Sequence, residues 1–327
     1  MANCACAQSL ERFTFTEPHL GTIVALTIYA PEETVANEAA RAAYTRVKTL
    51  DQIFSDYKSD SEAMLLCQQA GSGKAVAVSS ELFQLLKQSI AISEQTEGAF
   101  DVTVGPLVKL WRRARKEKVL PTPAAIAAAK ELVGWKHVQL DEAAQTVKLI
   151  KPGMQLDFGG IAKGYIAQDV SRVLRERGLT QTLVAVAGDI AAGDAPPNAA
   201  GWKVGVAPLD KPNGNVSRYL QLKNQAISTS GDAFQFAEID GVRYSHIVDP
   251  STGIGLTHRS SVTVISSDGA IADAMATAVC VLGSERGLRL IEGQTSTDVL
   301  IVEASDEGLR TVESKSFRRH ETQESQR

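Results

Sequence analysis

The 327-residue chain has only four cysteines, no long apolar run and little net charge. The cysteine spacing fits no zinc-binding pattern, and no apolar stretch approaches the roughly 20 residues that a membrane-spanning helix needs. The formal net charge is -4, so bulk charge does not favour nucleic acid as a partner. With 44% hydrophobic and 22% charged residues, the composition is that of a globular protein of one large or two modest domains.

The cysteines divide into two pairs with different interpretations. Cys67 and Cys280 lie in helix-like apolar patterns, which is typical of buried free thiols. Near the start, Ala5-Cys6-Ala7 has the A-x-A form of a signal-peptidase site, but no charged or apolar region precedes it. Residues 1–13 are therefore either the remnant of an export signal or the disordered N-terminus of a cytosolic protein.

The sequence also lacks both common phosphate-binding loops, although residues 156–169, "LDFGGIAKGYIAQD", look like such a loop. Lys163 precedes Gly164 and no Ser or Thr follows, so there is no Walker loop, and G-x-G-x-x-G is absent. Gly159 and Gly160 would still let backbone approach a ligand closely, and the N–H groups that open the next helix would meet an anion. A phosphate site and a plain strand-to-helix turn both fit.

Hydrophobic periodicity predicts helices and strands that are mixed along the chain, without internal repeats or strict β-α alternation. The predicted helices cover residues 35–57, 79–95, a short segment after Thr122-Pro123, 161–177, 269–281 and 284–292. The predicted strands cover 22–30, a hairpin at 137–150, 181–190, 202–207, 218–222, 242–248, 261–266 and 297–303. Residues 304–327 are polar and aperiodic, which predicts a tail. The mixture predicts an α+β fold.

Two oxygen-bearing side chains share one predicted helix. Asp273 and Thr277 are four residues apart, so they project side by side. Oxygen ligands of this kind suit Mg²⁺, which usually completes its octahedron with water and phosphate oxygens. The alternative is an acidic residue favoured by the helix dipole together with a core threonine.

Three further segments carry residues with possible chemistry. In "RYSHIVDPSTG", His246 precedes a turn and is either a general base or a cap of that turn. Tyr57 lies at the end of a predicted helix and either stacks on a planar ring or covers core. Phe100 and Asp101 follow Gly98 in a turn after a helix.

In chain order, the motifs "GAFDVTVGPLVKLW", "LDFGGIAKGYIAQD", "ISTSGD", "YSHIVDPSTG" and "DAMAT" resemble those of the ApbE family of FAD:protein FMN transferases. The resemblance runs from about residue 14 to 303. It implies a two-lobed α+β fold with mixed or antiparallel sheets flanked by helices, and FAD bound with Mg²⁺ between the lobes. The implied reaction joins FMN from FAD to a threonine hydroxyl of an acceptor protein through a phosphoester and releases AMP.

The resemblance assigns roles to particular residues. The implied metal ligands are the side chains of Asp273 and Thr277 and the carbonyl of Ala162, with Ala276 adjacent. His246 corresponds to the base and Lys163 to a cation at the phosphates. The implied FAD contacts are Leu20, Tyr57, Ala99, Phe100, Asp101, Gly159, Lys163, Tyr165, Ser230, Gly231 and Ile247.

Three positions depart from the family pattern. Leu20 stands where the family usually has Met, Ala187 stands for the first glycine of a Gly-Gly-acid turn, and Cys67 stands where Asn is frequent. None of them removes a proposed catalytic group.

The alternatives to transfer are a Mg²⁺-dependent FAD pyrophosphatase, which yields FMN and AMP, and a non-catalytic flavin-binding protein.

The resemblance also implies a partner and a place of action. The expected acceptor carries a D-x-x-[ST]-[GS]-[AT] motif and is a subunit of a membrane redox complex. The expected location is the outer face of the cytoplasmic membrane, with the cytoplasm as the alternative because no export signal is visible.

Overall fold

The computed structural model describes residues 9–209, 216, 218–232 and 235–322. Within these ranges the strands are, in chain order, β1 (Glu11–His19), β2 (Thr22–Ala30), β3 (Val76–Ala77), β4 (Val138–Asp141), β5 (Thr146–Leu149), β6 (Thr182–Val186), β7 (Asp189–Ala192), β8 (Trp202–Val206), β9 (Arg218–Leu222), β10 (Gln225–Gly231), β11 (Phe236–Ile239), β12 (Val242–Ser245), β13 (Ser260–Ser266), β14 (Thr297–Ser305) and β15 (Gly308–Glu313). The helices are α1 (Glu33–Phe54), α2 (Glu62–Cys67), α3 (Ser80–Gln95), α4 (Gly105–Glu117), α5 (Pro123–Lys130), α6 (Ala162–Glu176) and α7 (Gly269–Glu292). Across these ranges, no helix is both long enough and apolar enough to cross a membrane.

An eight-stranded sheet forms the centre of the fold. Its strand order is β1-β2-β6-β7-β10-β13-β14-β15, and every pair of neighbours is antiparallel. The smaller sheets, β3-β5-β4, β8-β9 and β11-β12, are antiparallel as well. The α+β class that the sequence predicts is therefore confirmed.

Helices α1, α6 and α7 contribute to the largest core. Helix α6 packs against α1, α7 and β6, and α7 packs against β10 and β13. On α1 the buried positions recur at helical spacing, and small side chains such as Ala36, Ala39 and Ala43 allow close approach to its neighbours. Fully buried β2 residues such as Val24 and Ile28 belong to the same core.

Two smaller apolar clusters complete the packing. One joins the β8-β9 pair to the large sheet through Trp202 and Phe317. The other joins α4 to the β11-β12 hairpin, with Trp111 buried at its centre. This second cluster supports the segment that follows β12, which contains His246.

Several local predictions are confirmed almost residue for residue. The strand at 22–30, the helix at 79–95, the hairpin at 137–150 and the helix at 161–177 all form. The short helix predicted at Thr122-Pro123 forms as α5, and Oγ1 of Thr122 caps it by accepting a hydrogen bond from the amide of Ala125 at 3.2 Å.

Both predicted irregular ends of the chain are wrong where the structure describes them. Residues 11–13 begin β1, which pairs along its whole length with β2. Residues 308–313 form β15, and a 3-10 helix follows at Phe317–His320. Both segments are too polar to show a core periodicity, but pairing with a neighbouring strand satisfies their backbone groups. Residues 1–8 and 323–327 of the predicted ends lie outside the described residues.

Three internal boundaries also differ from the prediction. Residues 181–190 form a hairpin of β6 and β7 that turns at Ala187, whose φ is +55°, instead of one strand. Helix α1 ends at Phe54, so Tyr57 lies beyond it, and β12 ends at Ser245. The two predicted C-terminal helices are continuous except at Gly283, where φ is +75°.

Candidate functional site at the glycine loop

The glycine loop lies against the start of α7. A Cβ on Gly160 would lie 2.9 Å from Oγ1 of Thr277, and a Cβ on Gly164 would lie 2.0 Å from the carbonyl oxygen of Gly269. Glycine at these two positions therefore permits close packing of the loop and α6 onto α7. Gly159 differs, because its amide donates to Oδ1 of Asp157 at 2.8 Å and a Cβ there would meet only that carboxylate.

Lys163 joins the loop to two buried carboxylates. Its Nζ lies 3.2 Å from Oδ2 of Asp189, 3.3 Å from Oδ2 of Asp273 and 2.9 Å from the carbonyl oxygen of Gly159. The amide of Gly164 also donates to Oδ2 of Asp273 at 3.1 Å. Burial by itself lowers the pKa of Lys163, but the two carboxylates raise it above its ordinary value. Lys163 is therefore a fixed cation.

Asp189 is a site residue that the sequence analysis does not single out. It is 2% exposed, and its second carboxylate oxygen accepts a hydrogen bond from Ser228. Burial and the nearby charge of Asp189 raise the pKa of Asp273 well above its ordinary value. A carboxylate directly after a buried strand and a glycine is the one signal in the sequence that could have indicated Asp189.

The donor atoms at this point fit a hard divalent cation. Asp273 is 1% exposed, and Thr277 presents its Oγ1 one turn later on α7, 3.3 Å from Oγ of Ser230. Two carboxylates against one lysine leave a net negative charge, which favours a cation. No group of three His, Cys, Asp or Glu side chains capable of holding a metal occurs among the residues described. Hydroxyl, carbonyl and water oxygens must therefore complete any coordination shell, which is the preference of Mg²⁺.

His246 follows β12 and is held by one carbonyl group. Its amide donates to the carbonyl oxygen of Gln235 at 3.0 Å, and its ring Nδ1 lies 3.1 Å from the same oxygen. A carbonyl accepts only, so Nδ1 carries the proton and Nε2 is left with a lone pair. Burial lowers the pKa of His246 to about 4, and the charges of Arg115 and Lys163 contribute in the same direction. His246 is therefore neutral at pH 7.

The turn after His246 does not need the histidine as a cap. Oδ1 of Asp249 accepts from the amide of Ser251 at 2.7 Å, and its Oδ2 accepts from the hydroxyl of Thr252 at 3.1 Å. The amide of Gly253 donates to the carbonyl oxygen of Asp249 at 2.8 Å, which closes the turn. The turn is closed by its own residues, so His246 does not cap it. The interpretation of His246 as a general base stays open.

Tyr57 is exposed and is connected to the loop through Arg112. The Tyr57 ring is 79% exposed, and the guanidinium of Arg112 lies over it at 4.3 Å from the centroid. Arg112 donates to Asp56, and its Nη2 lies 3.3 Å from Oδ2 of Asp157. Asp157 in turn holds the amide of Gly159. Tyr57 therefore does not cover core, and Arg112 is a second residue that the sequence analysis missed.

Phe100 and Asp101 have structural roles. Phe100 is 4% exposed. Oδ1 of Asp101 accepts from the amide of Thr103 at 2.8 Å, and Oδ2 accepts from the amide of Trp135 at 3.0 Å. Contacts of this turn with a ligand would therefore involve the backbone of residues 99–101.

The remaining predicted site residues lie on several other elements. Ser230 touches Thr277, and Gly231 ends β10 where a Cβ would lie 2.4 Å from the carbonyl oxygen of Ser260. Ile247 and Ala276 are buried, and Ala162 begins α6. Leu20 lies in the β1-β2 turn, where its φ is +56°, and packs against the largest core.

Tyr165 connects the site to a separate cavity. Its ring packs edge-on against Phe54, with the centroids 5.4 Å apart. The same side chain lines a cavity of about 420 Å³ that runs along α6 and includes Gln88, Arg172 and Asp268. Lys163, His246 and Asp273 do not line this cavity, so it is not the cluster described above.

Comparison with known proteins assigns the chain to one family. The model of the ApbE family matches residues 20–301. The solved flavin transferase ApbE from Vibrio cholerae superposes with a TM-score of 0.84 at 31% identity, covering 95% of this chain and 99% of that one. The crystal structure of the ApbE protein from Thermotoga maritima gives 0.85 at 29% identity, covering 96% and 100%. The chain belongs to the ApbE family.

Curated relatives define the class further. The FAD:protein FMN transferase of Vibrio cholerae serotype O1 is 31% identical over 322 residues, covering 96% of this chain and 94% of the relative. The FAD:protein FMN transferase of Salmonella typhimurium is 30% identical over 318 residues, covering 95% and 89%. The protein is thus an enzyme of the flavin transferase class, which transfers a phosphorus-containing group.

Proposed function

We propose that the protein transfers FMN from FAD to a threonine hydroxyl of an acceptor protein, with Mg²⁺ bound and AMP released. The observation that carries the proposal is the arrangement of Lys163 between two buried carboxylates, next to Thr277. Its relatives are named FAD:protein FMN transferases. The chain shares the fold of the solved flavin transferase ApbE over nearly its whole length.

The proposed metal site uses residues from two elements. Asp273 and Thr277 on α7 hold Mg²⁺ with their side chains, the carbonyl of Ala162 at the start of α6 adds a third ligand, and Ala276 lies beside them. When bound, Mg²⁺ neutralises charge on the phosphate oxygens. Gly160 keeps space beside Oγ1 of Thr277, since a side chain there would displace that hydroxyl.

The proposed transfer is one displacement at phosphorus. The acceptor hydroxyl oxygen forms a bond to the FMN phosphorus, and the bond from that phosphorus to the bridging oxygen breaks. Nε2 of His246 takes the hydroxyl proton, and AMP leaves with the bridging oxygen. Lys163 supplies fixed positive charge near the phosphates, which is most effective where charge develops.

The proposed flavin contacts come from several segments of the chain. Tyr57 presents an exposed ring for stacking, and Ala99, Phe100 and Asp101 contribute through their backbone. The remaining proposed contacts are Leu20, Gly159, Lys163, Tyr165, Ser230, Gly231 and Ile247.

Incubation with FAD, Mg²⁺ and a protein that carries a D-x-x-[ST]-[GS]-[AT] segment tests the proposal. Transfer predicts a covalent FMN mass on the threonine together with free AMP. Free FMN and AMP without an adduct would instead make the protein a pyrophosphatase. Intact FAD as the only flavin would make it a binding protein.

Replacement of Asp273 by alanine tests the metal site. Asp273→Ala removes one anionic ligand, so we expect the Mg²⁺ concentration for half-maximal transfer to rise by about tenfold or more. The measurement is a Mg²⁺ titration of the transfer rate, with Asp240→Ala, an exposed carboxylate in the β11-β12 turn, as the matched control. An unchanged titration would place the metal elsewhere.

We further propose that the acceptor is a subunit of a membrane redox complex and that transfer takes place on the outer face of the cytoplasmic membrane. Fractionation of cells that express the full-length gene product tests the location. Recovery of the protein only with cytosolic markers would refute it.

A further inference from the structure

Helix α4 packs against the segment that carries His246. Nε1 of Trp111 donates to the carbonyl oxygen of Gly253 at 2.8 Å, and its ring lies 5.0 Å from that of Tyr244. Leu107, Trp111 and Ala114 are buried in the same cluster as residues of β11 and Val248. Side chains on the neighbouring face of α4 are therefore held at a defined position relative to His246.

Two arginines on α4 have different surroundings. Arg112 forms ion pairs with Asp56 and Asp157, and its guanidinium lies over the ring of Tyr57. Arg115, one turn later, has no ion pair within the described residues, and its Nη1 is buried without a hydrogen-bond partner. Burial and the charge of Arg112 lower the pKa of Arg115 from its ordinary value and outweigh the opposite effect of Tyr57, so the charge of Arg115 is poorly compensated.

The other cations around His246 already have carboxylate partners. Lys163 lies between Asp189 and Asp273, and Arg243 donates to Asp232 at 2.6 Å. Arg115 lies one turn of α4 after Trp111, whose ring packs on Tyr244 two residues before His246, and its charge contributes to lowering the pKa of that histidine. The Arg115 side chain is only partly buried although its Nη1 is inaccessible to solvent, so a ligand would approach it through its exposed part. Within the described residues Arg115 has no ion-pair partner, so an anion that arrives beside His246 can pair with it.

We propose that Arg115 binds an oxyanion of a substrate beside His246. A guanidinium presents a planar set of donors that matches phosphate and carboxylate oxygens, and such charge-assisted hydrogen bonds are among the strong ones. Under the proposed function, on which this inference rests, the oxyanion belongs either to the phosphates of FAD or to a carboxylate of the acceptor protein. In both cases Arg115 fixes the position of the substrate relative to Nε2 of His246.

The test compares Arg115→Gln and Arg115→Lys with Arg113→Gln, which removes the same charge from an exposed position of the same helix. FAD affinity is measured by titration of flavin fluorescence in the presence of Mg²⁺. The KM for the acceptor is measured at saturating FAD. We expect Arg115→Gln to weaken one of the two constants by about tenfold or more, Arg115→Lys to recover part of the loss, and Arg113→Gln to change neither.

The two sources of the oxyanion give different results. A weaker FAD affinity identifies the phosphates, whereas a higher KM for the acceptor with unchanged FAD affinity identifies a carboxylate of the acceptor. If both constants of Arg115→Gln match those of Arg113→Gln, and only the pH dependence of the rate changes, Arg115 acts through His246 alone and the proposal is wrong. Thermal unfolding of each variant separates these results from misfolding.

The proposed function and this inference can fail separately. If the wild-type protein binds FAD but transfers nothing to any acceptor, the proposed function fails. The FAD titration then decides the role of Arg115 by itself, and an unchanged affinity overturns it.

Discussion

At the scale of single residues, the site depends on charged side chains that are distant in sequence and adjacent in space. Lys163 is held by Asp189 and Asp273, and Asp157 holds both Arg112 and the amide of Gly159. Each of these carboxylates is nearly inaccessible to solvent, so each interaction is stronger than a surface ion pair. The residues that carry chemistry are therefore fixed before a substrate arrives.

Replacement of His246 by alanine separates binding from chemistry. We expect His246→Ala to keep FAD affinity within about twofold and to lose transfer by roughly 100-fold or more, because general-base catalysis contributes on this order. Parallel measurements of flavin fluorescence and transfer rate check the prediction. If FAD affinity falls as much as the rate does, His246 contacts the flavin nucleotide or supports the fold.

Titration of His246 tests its protonation state directly. Burial lowers the pKa of His246 in the folded protein to about 4, below the ordinary value of 6.5. Between pH 6.5 and 4 the unfolded chain therefore binds more protons than the folded protein. The contribution of His246 to the free energy of unfolding is complete above pH 6.5 and is lost as the pH falls toward 4. NMR of the imidazole ring should show a midpoint near 4, with His246→Ala identifying the resonance. A midpoint at 6.5 would contradict the prediction.

At the scale of elements, α6 and α7 bring the two halves of the site together. Gly164 faces Gly269 where the two helices approach most closely, and Gly160 faces Thr277. The glycines of the loop therefore support helix packing as well as ligand access. This packing role could not be predicted from the sequence, because a glycine does not reveal which neighbour requires its small size.

Replacement of Gly164 by alanine tests this packing. A Cβ at Gly164 would lie 2.0 Å from the carbonyl oxygen of Gly269, so the helices must move apart. We expect a loss of about 1–3 kcal/mol in the free energy of unfolding, with weaker Mg²⁺ dependence of transfer. Gly293→Ala, whose Cβ would meet only atoms at ordinary contact distance, is the control. Equal stability of the two variants in urea unfolding would refute the close contact.

At the scale of the whole molecule, the C-terminal segment folds back on the large sheet. Asp298 on β14 accepts hydrogen bonds from Ser314 at 2.9 Å, Arg319 at 2.8 Å and His320 at 2.8 Å. The Phe317 ring is fully buried in the cluster under β8 and β9. The expected tail is therefore part of the fold as far as residue 322.

Replacement of Asp298 by alanine tests the attachment of this segment. The change leaves the donors of Ser314, Arg319 and His320 without their common acceptor, so we expect a loss of about 3–5 kcal/mol in the free energy of unfolding. Hydrogen exchange should accelerate in residues 308–320, while FAD affinity stays within about twofold. Asp306→Ala, in the exposed turn before β15, is the control. Unchanged exchange in the C-terminal segment would contradict the prediction.

The sequence by itself determined the α+β class, most helices and central strands, and the motifs that identify the family. These features depend on residues close together in the chain, where periodicity, caps and motif spacing act locally. Only the tertiary structure decided that Asp189 and Asp273 share Lys163, that Arg112 connects Tyr57 to the loop, and that Arg115 has no ion-pair partner among the described residues. Lys163 and Asp273 are 110 residues apart, so their contact depends on how α7 packs against α6. Long-range packing also explains the ordered ends, because polar strands form there only when a neighbouring strand supplies hydrogen bonds.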